Sequence, residues 1–448
     1  MSKKNGLIIA AATVLTGCVV LTTNVMADKK GFHFKPIDAS ASSADWNAAA
    51  PWKLPKGFSQ SLVSGEAALN IYDYPTWTDR SSGNDEPQNN DWHDMNVVNE
   101  TGKQAGRFMY RTHEVRGVET GGAVSVVDLK TGETKLLAQD VSWTALDGIR
   151  WTEWGTVVFA EETTGGRFFE IQLNEDMMSA AAIIDRPAVG RLAHEGIDLD
   201  ADGNVYVVDE FRGRTSRCGD IAPCGGGIYK FVPNSYGDLS AGNLYVLGIK
   251  SNTRRDGIGQ GEWLGPIDAE NARIAGSEVG GQSYQRPEDL EIIGDTLYVA
   301  ITEGPRDEYG KEYYEGRVIA INLNILHVTN FVKAGVNVPV EIGRPGDADF
   351  QSGFDSVDNL AESPDGQLVM IEDNIPSDIW FAKTKANKWG AAKKVRLFAS
   401  LRDPGAEGTG IYFSPNDPNT LYVNIQHSAM DDGDGTWAIR KMGKPDDD

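Results

Sequence analysis

Six acidic residues recur along this chain, each at the head of a short apolar strand: Asp94, Asp147, Glu195, Glu288, Asp358 and Glu407. Each opens a unit of one design: an acid, an alternating strand, a turn that often contains Gly, and a second apolar strand ending in acid or His. The clearest copy reads Glu195-Gly196-Ile197-Asp198-Leu199, then Ala201-Asp202-Gly203-Asn204, then Val205-Tyr206-Val207-Val208-Asp209-Glu210. Other copies run from Asp147 to Glu161-Glu162, from Glu288 to Glu303, from Asp358 to Glu372-Asp373 and from Glu407 to Gln426-His427. A looser one runs from Asp94 to His113-Glu114. Carboxylates gathered at one point repel strongly unless cations neutralise them, and hard ions such as Ca²⁺ prefer oxygen ligands of this kind. The competing reading is that the acids cap turns on a solvated face, and repetition in phase brings the two readings level.

The elements that would position these acids follow from their spacing. The intervals are 53, 48, 93, 70 and 49 residues. Three of them match one propeller blade of about 40–50 residues, and the two longer ones require insertions. With 50 glycines, frequent turn dipeptides and scarce helical periodicity, the chain reads as all-β. The expected fold is a six-bladed β-propeller with loop insertions, and the 93-residue interval is the place where a seventh blade could lie. The innermost strand of each blade lines the central channel, so acids in phase would face one axis.

Composition excludes some partners. With 65 acidic against 42 basic residues and a net charge of −23, no basic face exists for tracking phosphates, and nucleic acid is not an expected partner. Residues 1–27 carry Lys3 and Lys4, then the apolar run Leu7 to Leu21, then Asn24-Val25-Met26-Ala27. That order reads as a secretory signal peptide and not as a transmembrane span. Leu15-Thr16-Gly17-Cys18 offers a second reading, a lipoprotein processed and lipid-anchored at Cys18. Either places the protein outside the cytoplasm, periplasmic or extracellular. Residues 28–75 would then form an N-terminal extension joining a propeller at 76–440, with an acidic tail at 441–448. A monomer is expected. Cys218 and Cys224 share one short loop, where a disulfide is the default in an oxidising compartment.

Several repeat segments resemble the PhoX-type alkaline phosphatases: His113-Glu114, Trp154-Gly155-Thr156 with Glu161-Glu162, His194-Glu195, Arg286-Pro287-Glu288-Asp289, Asp358-Asn359-Leu360-Ala361, and Gly408-Thr409-Gly410 with Val423-Asn424-Ile425-Gln426-His427. The resemblance implies a six-bladed propeller holding several Ca²⁺ ions and iron, and hydrolysis of phosphate monoesters outside the cytoplasm. It implies metal ligation by Glu195, Glu288, Asp358 and one of Glu161 or Glu162, with Arg286 contacting the substrate phosphate. One position departs from the family pattern. The iron-ligating Cys expected just before the Trp-Gly-Thr segment is absent, and Asp147 stands nearest its place. A carboxylate there favours harder ions than a thiolate does, which puts Fe³⁺ and phosphatase activity in question.

Three functions follow from this reading. In a metal-dependent phosphomonoesterase, Glu161, Glu162, Glu195, Glu288, Asp358 and Asp147 would hold cations, Arg286 would clamp phosphate, and His427 would serve as general acid. The alternatives are a metal-dependent hydrolase of another ester, a lactone or phosphodiester, and a non-catalytic calcium-binding propeller acting as a binding module. A nucleophilic-serine hydrolase is excluded, because no Gly-x-Ser-x-Gly elbow occurs.

Overall fold

The computed structural model describes residues 32–69, 71, 92–116, 121–212, 226–250, 257–302, 316–343, 350–430 and 433–442. The expected signal segment, the Cys218–Cys224 loop, Glu303 and most of the acidic tail lie outside the described residues. The chain is all-β and propeller-like. Antiparallel strands form two four-stranded sheets, two five-stranded sheets and one of nine strands. The α-helix of the described residues is the short Ala272–Glu278, and no helix among them is long and apolar enough to cross a membrane.

Six strands carry or directly follow the repeat acids: His93–Val98, Leu146–Trp151, Ile197–Leu199, Pro287–Ile293, Val357–Glu362 and Glu407–Phe413. Each contacts the next in this order, and Glu407–Phe413 returns to His93–Val98 to close a ring. From each, a meander runs outward. His93–Val98, for example, is followed by Phe108–His113, Gly122–Asp128 and Glu133–Asp140. The nine-stranded sheet contains two such meanders. Among the described residues, strand pairing joins them where Gly259 and Gln260 meet Val328 and His327.

The 93-residue interval holds the strand Gly259–Ile267, beyond the outer edge of one meander, and the helix, whose Ala272 packs in the core beside Leu192 and Tyr229 and whose Arg273 pairs with Asp209. The inner strands Ile197–Leu199 and Pro287–Ile293 contact each other directly. The chain ends interlock as well. Phe58–Gly65 is the outer strand of the last sheet, paired with Gly435–Lys441, and Trp52–Lys53 extends the preceding sheet beside Val395–Leu401. Apolar side chains fill the wedges between neighbouring sheets. One buried cluster joins Val97, Met109 and Val124 to Leu146, Phe159 and Phe169. Another seats Phe32 among Phe381, Phe398 and Phe413.

Inner-strand pairing is broken at the acids. The ladder skips between His93 and Asn96, Leu146 and Ile149, Pro287 and Leu290, and Val357 and Leu360. The skipped residues include Asp94, Asp147, Glu288 and Asp358. A bulge of this kind re-aims a side chain and bends the strand, and here it turns the acid towards the axis. In the last repeat the break falls later, between Thr409 and Tyr412. Glu407 therefore approaches from just outside the bulge.

Glycine permits the inner strands to crowd. A Cβ on Gly196 would meet Asp289 Oδ1 at 2.4 Å and Leu290 N at 2.5 Å, and one on Gly148 would meet the Glu195 carbonyl at 2.0 Å.

Candidate active site

Five of the acids converge in a buried ring at one end of the channel. Asp94, Asp147, Glu195, Glu288 and Asp358 are all at most 9% exposed. Carboxylate oxygens of Asp147, Glu162 and Glu195 lie within 4.8 Å of one another, and so do those of Glu195, Glu288 and Asp358. Glu195 belongs to both groups, so the two share one corner. Either group could hold a metal ion.

Backbone geometry repeats with the acids. The residue two before the acid has a positive φ in four repeats: Trp92 at 39°, Ala145 at 48°, Arg286 at 49° and Ser356 at 40°. None is Gly, and such backbone persists only where its surroundings over-determine it. In each case the carbonyl of that residue accepts an amide from the end of the second strand: Glu114 N to Trp92 at 3.0 Å, Glu162 N to Ala145 at 2.7 Å, Thr302 N to Arg286 at 3.0 Å and Asp373 N to Ser356 at 2.8 Å. Glu210 N reaches Ala193 in the same way at 2.8 Å. These bonds fix a second tier of polar residues against the first.

Glu114, Arg116, Glu210 and Asp373 in this second tier were not singled out as site residues by sequence. The signal for the acids was present, because the second strand of each repeat ends in acid or His. Arg286 Nε lies 2.5 Å from Glu210 Oε1 and 3.0 Å from Glu288 Oε1, with Nη1 4.0 Å from Asp373 Oδ2. Arg116 pairs with Glu114, and its Nη2 donates to Glu162 Oε2 at 2.5 Å. His427 Nε2 lies 3.1 Å from Glu407 Oε1 and 3.6 Å from Glu114 Oε2. The His427 ring stands edge-on to Trp92, with centroids 4.1 Å apart.

Of the residues expected from sequence, Asp147, Glu162, Glu195, Glu288, Asp358 and Arg286 come together, and His427 joins through Glu407. Glu161 does not. Alternation along Val157–Gly166 turns it away from its neighbour Glu162. Its oxygens accept from Arg167 Nε at 2.7 Å, Arg167 Nη2 at 2.8 Å and Thr144 N at 3.1 Å.

Electrostatics matches the crowding. Burial first, and then neighbouring carboxylates, hold Glu195 and Asp147 well above the usual range. Glu288 and Asp358 are likewise raised, chiefly by burial. Burial pushes Asp94 up to about 8 despite its hydrogen bond with Asp147. Glu210 is pushed up to about 7 by burial and by Glu162. Asp373 rises well above the usual range, chiefly because Glu407 is charged beside it, while Glu407 falls to about 2: burial opposes the fall, and hydrogen bonds with Asp373 and His427 outweigh it. The raised pKa of His427 has the same origin, since burial opposes it and Glu407 wins.

Below the ring, side chains and backbone knit the inner strands together. Asp289 Oδ2 accepts Leu360 N at 2.8 Å, Asn359 Oδ1 accepts Gly410 N at 2.6 Å, and Asn96 Nδ2 donates to the Gly410 carbonyl at 2.8 Å. Further down, Arg150 pairs with Glu291 and Asp198. That network borders a separate cavity of about 1100 Å³ on the opposite face, lined by Glu100, Trp154 and Tyr236 among others.

Fold and site together define a propeller-like chain with a buried ring of carboxylates. Residues 160–429 match the family model of alkaline phosphatase PhoX, and the chain belongs to that family. No curated protein matches it in sequence. Among solved structures it is similar to Pseudomonas fluorescens PhoX in complex with vanadate, a transition-state analogue, with 17% identity and a TM-score of 0.56 over 91% of this chain and 98% of that one. The pyranose dehydrogenase PQQ domain from Coprinopsis cinerea gives 10% identity and a TM-score of 0.49 over 87% and 97% of the two chains. The soluble aldose sugar dehydrogenase from Escherichia coli gives 12% and 0.47 over 86% and 99%.

Proposed function

We propose that this protein is an exported, metal-dependent phosphatase that hydrolyses phosphate monoesters at the carboxylate ring. The observation that carries the reading is the pair of overlapping carboxylate groups sharing Glu195. The donor set suits metal ions. Asp147 Oδ1 is buried without a hydrogen-bond partner, and an orphaned, like-charged oxygen in that position is costly unless a cation meets it. Asp147, Glu162, Glu195, Glu288 and Asp358 would hold the ions. All donors are oxygens, which favours Ca²⁺ and gives Fe³⁺ no thiolate. Glu161, occupied by Arg167, is left out of the ligand set. Cations bound there would offset negative charge on the phosphoryl oxygens in the transition state.

The chain's own groups supply the rest. Arg286 is anchored at Nε by Glu210 and Glu288, which leaves its Nη edge to bind phosphate oxygens in place of the loose contact with Asp373. His427 keeps a proton at Nε2 against Glu407, in position to donate it to the departing alkoxide.

The same reading takes the nine-stranded sheet as two blades bridged at Gly259 and Gln260, for six in all. The closed succession of inner strands supports that count. It also takes residues 1–27 as a cleaved export signal, residues 28–75 as an extension strapped to the propeller, Cys218–Cys224 as a disulfide and the protein as a monomer. The test is turnover of a chromogenic phosphomonoester by calcium-loaded protein, with and without chelator, beside a phosphodiester and a lactone. Chelator-sensitive monoester hydrolysis supports the proposal. Turnover of the lactone alone would move the function to another ester, and metal-loaded protein inert towards all three would leave a calcium-binding module.

A further inference from the structure

Two acids in the fifth repeat face away from the channel and take no part in its chemistry. In the hairpin formed by Gln367–Glu372 and Asp378–Lys383, Ile371 pairs with Ile379. One step further towards the turn, Glu372 and Asp378 therefore sit opposite each other. Directly opposed positions bring Cβ atoms within about 4.5–5.5 Å, and like charges there are destabilising. Both residues are 0% exposed.

Each carboxylate spends one oxygen. Glu372 Oε1 accepts Asp355 N and Trp380 Nε1, both at 2.9 Å. Asp378 Oδ2 accepts the Ser40 hydroxyl, and the Ser400 side chain also hydrogen-bonds this carboxylate. The other oxygens, Glu372 Oε2 and Asp378 Oδ1, are buried without a hydrogen-bond partner. A third acid, Glu341, is tied to the same turn, its Oε1 accepting Asn374 Nδ2 at 2.9 Å. Lys53 stands close to this group but donates its ammonium to the carbonyls of Ala39 at 2.8 Å and Ser40 at 3.0 Å.

Two opposed buried carboxylates, each with one unused oxygen, need a positive partner. The donors at hand are carboxylate and hydroxyl oxygens, with no nitrogen or sulfur ligand among them, and that chemistry suits a calcium-type ion. We infer that Glu372 and Asp378, supported by Glu341, form a structural site for one hard divalent cation, separate from the channel ring. The ion would pin the N-terminal segment to the propeller, because the Ser40 amide also donates to Ser352 Oγ at 2.6 Å and Ala41 N donates to Ser400 Oγ at 2.7 Å.

The test compares bound calcium per chain, by elemental analysis after exhaustive dialysis against buffered micromolar Ca²⁺, in the full protein and in Asp378→Asn. The expected result is loss of one equivalent with ester turnover unchanged. Glu195→Gln should keep that equivalent while losing those of the channel, so failure of this site and failure of the channel reading can be told apart. An unchanged calcium count in Asp378→Asn overturns the inference and leaves a shared proton as the partner. Should Asp378→Asn not fold, crystals of the unaltered protein soaked in Tb³⁺ decide the matter. An anomalous peak between Glu372 and Asp378 supports the site, and peaks confined to the channel refute it.

Discussion

Replacing Glu195 by glutamine should change stability in opposite directions depending on whether metal is present. Glu195 is the corner shared by both carboxylate groups, with oxygens of Asp147, Glu162, Glu288 and Asp358 within 4.8 Å. At that separation and an effective dielectric of about 20, two unit charges repel by about 3.5 kcal/mol. Protons on the raised carboxyls relieve part of this, so not every neighbour counts in full. Relief from one ionised neighbour is a fair floor, and the metal-free variant should gain about 2–3 kcal/mol over the parent. With calcium the sign reverses, because the substitution removes a ligand common to both groups. The assay is urea unfolding at pH 8, once in chelator and once in millimolar Ca²⁺, followed by tryptophan fluorescence. A purely structural Glu195 predicts destabilisation in both conditions. Loss of stability in chelator would refute the argument that the ring is held against its own repulsion.

Three further outcomes follow from the same geometry. Arg286→Met should lower kcat/KM for phosphomonoesters on the order of 100-fold or more, as loss of a transition-state contact does, while lactone turnover, if any, should persist. Metal-free protein should lose stability as pH rises. The folded carboxyls of Glu210 and Asp94 titrate near 7 and 8, above their unfolded values, so their contribution is full below about pH 4, is lost by about 1.4 kcal/mol per unit for each group as pH rises from there, and is gone once pH has passed through 7 and 8. Urea midpoints from pH 5 to 9 measure this, and calcium binding at pH 7 should release protons, detectable by calorimetry in buffers of different ionisation enthalpy. Gly196→Ala should cost about 3 kcal/mol, because the new Cβ would meet backbone and side-chain atoms of Asp289 and Leu290 at 2.4–2.6 Å. Thermal unfolding reads that loss.

The ring was legible in sequence because its members recur in phase with a strand–turn–strand unit, and each acid has a local signature in the apolar run that follows it. What positions the acids was not legible. A bulge leaves no residue-type signature when the skipped pair is Asp94-Met95 in one repeat and Glu288-Asp289 in another. The left-handed residues are equally silent. Trp92, Ala145, Arg286 and Ser356 share no side-chain property, and only Gly or Asn at those places would have announced a positive φ. Glu161 and Glu162 show the consequence. Neighbouring acids on a strand face opposite ways, and which of them enters the channel depends on a register set by the bulge after Leu146. Arg116 could not be placed at all, because its pairing with Glu114 and Glu162 joins two different repeats.

The left-handed positions also bear on how the ring persists. Each costs of order 1–3 kcal/mol, and four of them lie at the centre of the molecule, next to carboxylates that repel one another. Local hydrogen bonds and ion pairs offset only part of either term. Recovery comes from further out, where apolar wedges between sheets and the interlocked chain ends hold every inner strand in place, whether or not its acid is comfortable. The amide bond from each second-tier residue to the left-handed carbonyl carries that rigidity inward. Loosening the outer closure, for example at the Phe58–Gly65 pairing with Gly435–Lys441, should therefore weaken metal affinity before it unfolds the chain. The ring would relax by spreading its carboxylates, because the bridges that Arg286 and Arg116 supply hold only some of them together.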